Sequence, residues 1–161
     1  MQANPTLDYI SQSPAQTHLA GEHLGSLCTG GEVICLSGPL GSGKTVLAQG
    51  IAAGLCVTAQ VTSPTFTVLK EYRGRLDFFH FDFYRFEHQV RTADIEFGEY
   101  LRPDAVCAVE WAEFAAELLP EEYLLVKVGL VSTSKRAIQV FAQGTSYEEF
   151  AHRSQALAFH I

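Results

Sequence analysis

Residues 36–50 read LSGPLGSGKTVLAQG. Gly38-Pro39-Leu40-Gly41-Ser42-Gly43-Lys44-Thr45 fills every fixed position of G-x-x-x-x-G-K-[ST]. The pattern has mechanical content. Glycines let the backbone curl so that successive N–H groups point inward at phosphate oxygens. A helix opening at the end of the loop adds free N–H groups that favour an anion. Lys44 is placed to reach the β- and γ-phosphates, and the Thr45 hydroxyl to ligate magnesium. The context agrees: VICLS (33–37) reads as a short buried strand before the loop, and KTVLAQGIAAGLC (44–56) as a helix after it, closed by Gly54. The expectation is an α/β P-loop NTPase-like three-layer sandwich with a small mixed β-sheet.

Working outward, AQTHLAGEHLGSLC (15–28) places Leu19, His23, Leu24 and Leu27 near one helical face, capped by Ser13 or Ser11 and ended by Gly30-Gly31. FTVLKEY (66–72) and DFFHFDFYRF (77–86) predict two strands joined by Arg73-Gly74-Arg75. TADIEFGEYL (92–101) predicts a short helix before Pro103, AVCAVEW (105–111) a buried strand, and AEFAAELL (112–119) another helix. YLLVKVGLV (123–131) and AIQVFAQG (137–144) predict an antiparallel hairpin. SYEEFAHRSQALAF (146–159) opens with Ser146-x-x-Glu149, a capping-box pattern for a last helix. With no repeat, linker or low-complexity tract, residues 1–161 read as a single nucleotide-binding domain.

Composition narrows the function classes. Hydrophobic residues make up 47% and charged residues 18%, a globular balance. No apolar run reaches the roughly 18 residues that span a bilayer, and no basic-then-apolar leader opens the chain, so no membrane association is expected. Cys28, Cys35, Cys56 and Cys107 lack C-x-x-C spacing and read as reduced, mostly buried thiols of a cytoplasmic protein. The net charge of -7 disfavours direct capture of nucleic acid, so contact with RNA would run through a partner.

The nucleotide is read as ATP by elimination. Guanine-specific switch proteins carry N-K-x-D, and the only asparagine here is Asn4; D-x-x-G is missing too. Hydrolysis needs carboxylates near the Mg2+. Glu110 ends the apolar run AVCAVE, where the carboxyl edge of a strand delivers it to the phosphate side; the plainer alternative is a solvated Glu opening the next helix. In DFFHFDFYRF, alternation puts Phe79, Phe81 and Phe83 on one face and His80, Asp82 and Tyr84 on the other, making Asp82 the second candidate, against an ordinary polar edge-strand face. His80-x-Asp82 as a transition-metal pair lacks a third ligand. VTSPTFTV (61–68) sets Thr62, Ser63, Thr65 and Thr67 around Pro64, where hydroxyls can sense magnesium or the γ-phosphate, Thr65 being the catalytic candidate; a proline turn with strand-forming threonines is the alternative.

LSGPLGSGKT, SPTFTVLKEY, HFDFYR and VEWAE, in this order, resemble the TsaE (YjeE) family, bacterial ATPases of tRNA threonylcarbamoyladenosine biosynthesis. The likeness runs from about Thr17 to Trp111, and the later motifs are much more specific than the loop alone. The resemblance implies ATP and magnesium at Lys44 and Thr45, Asp82 and Glu110 serving magnesium and the attacking water, and Trp111 beside the site. It implies as partners TsaB and TsaD, which carry the threonylcarbamoyl group to tRNA, with an ATPase that is weak alone. One departure is Val46, where the family often has a second threonine; losing that hydroxyl weakens nucleotide binding by about 0.5–1.5 kcal/mol. The base-binding end is assigned to residues near Ser13 to Thr17 and near Arg136. Two rival functions remain open: a small P-loop kinase, which would need an acceptor pocket and an arginine-bearing lid, and a non-hydrolysing nucleotide-dependent binding module.

Overall fold

The expected buried strand Val33–Ser37 lies in the middle of a seven-stranded mixed sheet. The structure, a computed structural model, describes residues 3–88 and 91–160. In chain order the strands are β1 Leu7–Ser11, β2 Val33–Ser37, β3 Leu69–Arg73, β4 Asp77–Asp82, β5 Ala105–Glu110, β6 Tyr123–Leu130 and β7 Arg136–Gln143, and the α-helices are α1 Pro14–Leu27, α2 Lys44–Gly54, α3 Glu148–Ser154 and α4 Leu157–His160. Across the sheet the order is β1-β7-β6-β2-β5-β4-β3. Strands β6, β2, β5 and β4 run parallel, β3 and β7 flank them antiparallel, and β1 pairs antiparallel with β7 and so runs in the central direction again.

Parallel strands are covered on both faces, which is why β5 is buried at every position. On one face Leu24 of α1, Leu47 and Ile51 of α2 and Phe150 of α3 pack on Ile34, Leu36, Phe78 and Val126. On the other, Phe79 and Phe81 of β4 meet Phe83, Phe86, Phe97 and Ala112. The period-2 alternation expected for DFFHFD holds, and both of its faces are interior: Phe78 belongs to the helical side and Phe79 and Phe81 to the opposite one. The third layer consists of short 3₁₀ segments at Tyr84–Glu87, Thr92–Asp94, Phe97–Tyr100 and Ala112–Leu118.

Helix α1 starts as expected: the Ser13 hydroxyl accepts from the Gln16 N–H at 3.2 Å and Pro14 occupies the first turn. It packs unusually close to α2. A Cβ on Gly21 would lie 2.2 Å from the Leu47 carbonyl oxygen, and one on Gly50 would lie 2.1 Å from that of His18. At the far end, Arg75 in the β3–β4 turn donates to the Gly25, Cys28 and Gly54 carbonyls, capping the C-termini of both helices. The glycines and Arg75 thus fix where α2 begins, and α2 begins with Lys44 and Thr45.

Several expected elements differ. Strand β1 was not foreseen; five residues with half-apolar alternation carry little signal alone and gain their ladder from β7. Residues 66–68 form a turn rather than the start of β3, and Tyr84–Glu87 is 3₁₀ rather than strand. The short helix expected over 92–101 is two 3₁₀ turns, and that over 112–119 is 3₁₀ and broken at Ala115 (φ -143°, ψ 41°). Ser146 does not make a capping box: its hydroxyl bonds Glu122, and α3 starts two residues later without a side-chain cap. No helix among the described residues is long and apolar enough to cross a membrane.

Candidate nucleotide site

The loop between β2 and α2 takes backbone angles that only glycine adopts easily. Gly38, Gly41 and Gly43 have φ of 152°, 76° and 102°. A Cβ on Gly38 would also stand 2.2 Å from the Val128 carbonyl. Gly43 is the N-cap of α2 and supplies no capping side chain, so the first N–H groups of the helix remain open to an anion. The Ser42 hydroxyl, fully buried in the loop, has no hydrogen-bond partner among the described residues.

Lys44 folds back over this loop. Its ammonium donates to the Gly38 and Pro39 carbonyls at 2.6 and 3.0 Å and lies 4.0 Å from the centre of the Trp111 ring. The residue is 5% exposed, and its charge is partly stripped of water. That desolvation lowers its pKa, against the opposing pull of Glu110, Glu113 and Asp82.

Register brings in the carboxylates. In the parallel ladder β2–β5–β4, Leu36 pairs with Glu110 and Glu110 pairs with Asp82, so both acids end adjacent strands beside the loop. The crevice at the carboxyl ends of parallel strands is where such sheets bind ligands. The Thr45 hydroxyl donates to Glu110 Oε1 at 2.9 Å and approaches Oε2 at 3.2 Å. Asp82 Oδ2 accepts from the Thr65 hydroxyl at 2.8 Å and Oδ1 from the Tyr84 N–H at 2.9 Å. Burial raises the Asp82 pKa, and these two hydrogen bonds oppose the rise. The Thr65 hydroxyl also bonds Ser63 at 2.7 Å, tying the 62–67 loop to Asp82. Loop residues 40–46, Ser63, Thr65, Asp82, Glu110 and Trp111 together line one cavity of about 340 Å³. A larger open depression of about 480 Å³ lies at the other end of β2, between residues 29–32 and 146–153, and contains none of these groups. Of its two carboxylates, Glu32 and Glu149, Glu32 is already bonded to the N–H groups of Thr29 and Gly30.

The cavity side chains suit a hard divalent cation: the Thr45 hydroxyl with the Asp82 and Glu110 carboxylates offers only oxygen. Among the described residues no cluster of three or more His, Cys, Asp or Glu offers a transition-metal cage. The unpartnered Ser42 hydroxyl and the open helix N-terminus suit phosphate oxygens in the same way.

Two residues near the site hold backbone angles unusual for a side-chain-bearing residue. Trp111 has φ 55° directly after Glu110, and its ring stacks on Phe114 at 5.5 Å. Val68, β-branched, has φ 67°; its N–H donates to the Pro64 carbonyl and its own carbonyl accepts the Asp82 N–H at 2.8 Å. Such angles cost on the order of 1–3 kcal/mol each and persist where surrounding contacts enforce them. Val46 lines the cavity. Arg136 is not among the lining residues: its guanidinium donates to the carbonyls of Ser42 at 2.8 Å and Gly41 at 3.4 Å, and to the β6–β7 turn. Of the 13–17 segment, Thr17 is buried against Ser11. His80, considered only as a metal ligand from the sequence, is fully buried and bonds Glu110 Oε1 through Nε2 at 2.8 Å. A histidine between phenylalanines on a strand with two apolar faces was the available signal.

The family model of threonylcarbamoyl adenosine biosynthesis protein TsaE matches residues 11–138. The tRNA threonylcarbamoyladenosine biosynthesis protein TsaE of Bacillus subtilis (strain 168) is 37% identical over 143 residues, covering 88% of this chain and 89% of its own. Its namesake in Treponema pallidum (strain Nichols) is 37% identical over 131 residues, covering 81% and 97%. Among solved structures, the crystal structure of Bacillus subtilis YdiB matches with a TM-score of 0.80 and 32% identity over 96% of this chain and 95% of that one.

Proposed function

The chain belongs to the TsaE family of threonylcarbamoyl adenosine biosynthesis proteins, and from that premise we propose that it binds ATP with magnesium, hydrolyses it slowly, and supports threonylcarbamoyladenosine modification of tRNA together with TsaB and TsaD in the cytoplasm. The observation that carries this reading is the convergence on one cavity of a glycine loop with an open helix N-terminus, the Thr45–Glu110 bond and the Thr65–Asp82 bond.

The roles follow from the atoms. Lys44 exchanges its bonds to the Gly38 and Pro39 carbonyls for phosphate oxygens. Thr45 and Glu110 would hold magnesium, which when bound would neutralise charge on the phosphates. Asp82, its proton affinity raised by burial, orients a water and takes its proton, steadied by Thr65. The 62–67 loop, tied to Asp82, senses which nucleotide is present. Its tip carries Phe66 at 86% exposure, an apolar group available to a protein partner. A net charge of -7 favours such a partner, rather than this chain, as the holder of the tRNA.

The test is reconstitution with TsaB, TsaD, tRNA and a threonylcarbamoyl donor. Wild-type protein sustains many cycles of transfer and binds the TsaB–TsaD pair more tightly with ATP and magnesium. Lys44→Ala stops multiple turnover. Sustained transfer by Lys44→Ala at the wild-type rate refutes the role of the nucleotide.

A further inference from the structure

We propose that His80 is a positioning residue that holds the Glu110 carboxylate in the orientation that receives a divalent cation beside Thr45; this rests on the preceding reading of the cavity as an ATP–magnesium site. His80 lies in β4, paired with Ala108 of β5 and Lys70 of β3, and is fully buried. Its ring stacks on Phe78 with centroids 6.0 Å apart. An aromatic hydrocarbon would serve that packing equally well, so packing does not explain an imidazole here. The polar function of the ring has one outlet: Nε2 bonds Glu110 Oε1 at 2.8 Å, while Nδ1 has no hydrogen-bond partner among the described residues. An ionised carboxylate only accepts, so Nε2 carries the hydrogen.

The consequence for Glu110 is asymmetric. Oε1 accepts two short bonds, from His80 at 2.8 Å and Thr45 at 2.9 Å, whereas Oε2 has only the 3.2 Å approach of Thr45. His80 therefore pins one oxygen and leaves the other with free lone pairs. Without it, the Thr45 hydroxyl is the one remaining partner of the carboxylate among the described residues, and that hydroxyl would itself ligate the cation. Partners that orient metal-binding side chains in this way set metal affinity, and their removal costs about 10–100-fold.

The test uses the full chain, ATP and magnesium chloride, with calorimetry as readout. His80→Leu keeps the volume apolar and removes the donor; His80→Gln restores an N–H at similar reach. In His80→Leu the magnesium concentration that half-maximally tightens ATP binding rises by about tenfold, ATP affinity in EDTA stays within about twofold, and His80→Gln returns the midpoint to within about threefold. In 15N-labelled wild-type protein without nucleotide, one imidazole Nε2–H signal resists solvent exchange, and Glu110→Ala abolishes it. An unshifted magnesium midpoint in His80→Leu, no rescue by His80→Gln, or no protected imidazole signal overturns the proposal while leaving the nucleotide site intact. Failure of the wild-type protein to bind ATP in a magnesium-dependent way instead overturns the parent reading. Should His80→Leu not fold, the wild-type signal and the His80→Gln midpoint decide.

Discussion

Replacing Lys44 by alanine removes the only side-chain cation of the phosphate loop. In the structure the residue is 5% exposed and its ammonium, partly desolvated, is bonded to the Gly38 and Pro39 carbonyls. Two consequences follow for the magnitude. Little further desolvation is charged when ATP binds, and two charge-assisted bonds to carbonyls are exchanged for two to phosphate, which leaves them roughly balanced. The surplus is the Coulomb attraction between the ammonium and the phosphates: about 4 kcal/mol for one unit charge at 4 Å and an effective dielectric near 20. Rearrangement away from the Trp111 ring, a contact worth on the order of 1 kcal/mol, reduces it to about 3 kcal/mol, or roughly 100-fold in affinity. Calorimetry of wild type and Lys44→Ala in excess magnesium measures this, with thermal melts confirming that both fold. An affinity within about threefold of wild type would mean that the ammonium does not face phosphate, and the cradle reading of the loop would fall with it.

Four further outcomes can be checked. Because burial raises the Asp82 pKa and the proposed role as base needs its ionised form, hydrolysis is expected to fall with decreasing pH along a limb centred above the ordinary aspartate value of about 3.9, and Asp82→Asn to lose turnover and the limb together in a pH–rate profile. A carboxyl whose folded pKa is raised contributes stability that is full below the unfolded value and lost as pH rises through the folded one, so Asp82→Asn melts no lower than wild type at neutral pH. Gly50→Ala drives a methyl into the His18 carbonyl; overpacking of about 1–3 kcal/mol lowers Tm by roughly 3–10 °C, and an unchanged melt would deny the close α1–α2 contact. Cys28, Cys35 and Cys107 are buried, with Cys35 and Cys107 thiols pushed up to about 12, so a thiol reagent modifies Cys56 alone in the native protein and all four cysteines after denaturation.

The parts of the fold that were legible in the sequence are those where local chemistry is self-sufficient. The phosphate loop, α1 with its Ser13 cap, the buried strands β2 and β5 and the β6–β7 hairpin each carry their own signal in turn residues and periodicity. The errors fall where tertiary contact overrides that signal. Ser146 has the spacing of a capping box, yet Glu122, from a segment 24 residues earlier, competes for its hydroxyl. Residues 112–118 have helical composition, but the αL backbone at Trp111 sets their entry direction and Ala115 breaks the turn. Strand β1 exists only because β7 offers it an edge, and β7 is more than a hundred residues away in the chain.

The site divides along the same line. Lys44 and Thr45 are candidates from spacing, and Asp82 and Glu110 from their places at the ends of apolar strands; the structure brings these four candidates to one cavity. What spacing cannot express is the register that sets Asp82 opposite Glu110, because it depends on how β4 and β5 slide along one another. One residue of slip of β4 would turn Asp82 to the face of the sheet opposite Glu110. Phe78 and Val106 on the helical face, with Phe79, Phe81 and Val109 on the other, exclude that slip, since it would exchange two differently shaped cores. His80 gains its partner through this same register: it stands two positions before Asp82 on β4, as Ala108 stands before Glu110 on β5, and bonds diagonally to the acid. In the sequence a histidine and an aspartate two apart suggest a metal pair, a reading that fails there for want of a third ligand. The ladder instead points the histidine at the neighbouring strand's glutamate, so its chemistry belongs to Glu110 and was invisible until β4 and β5 were paired.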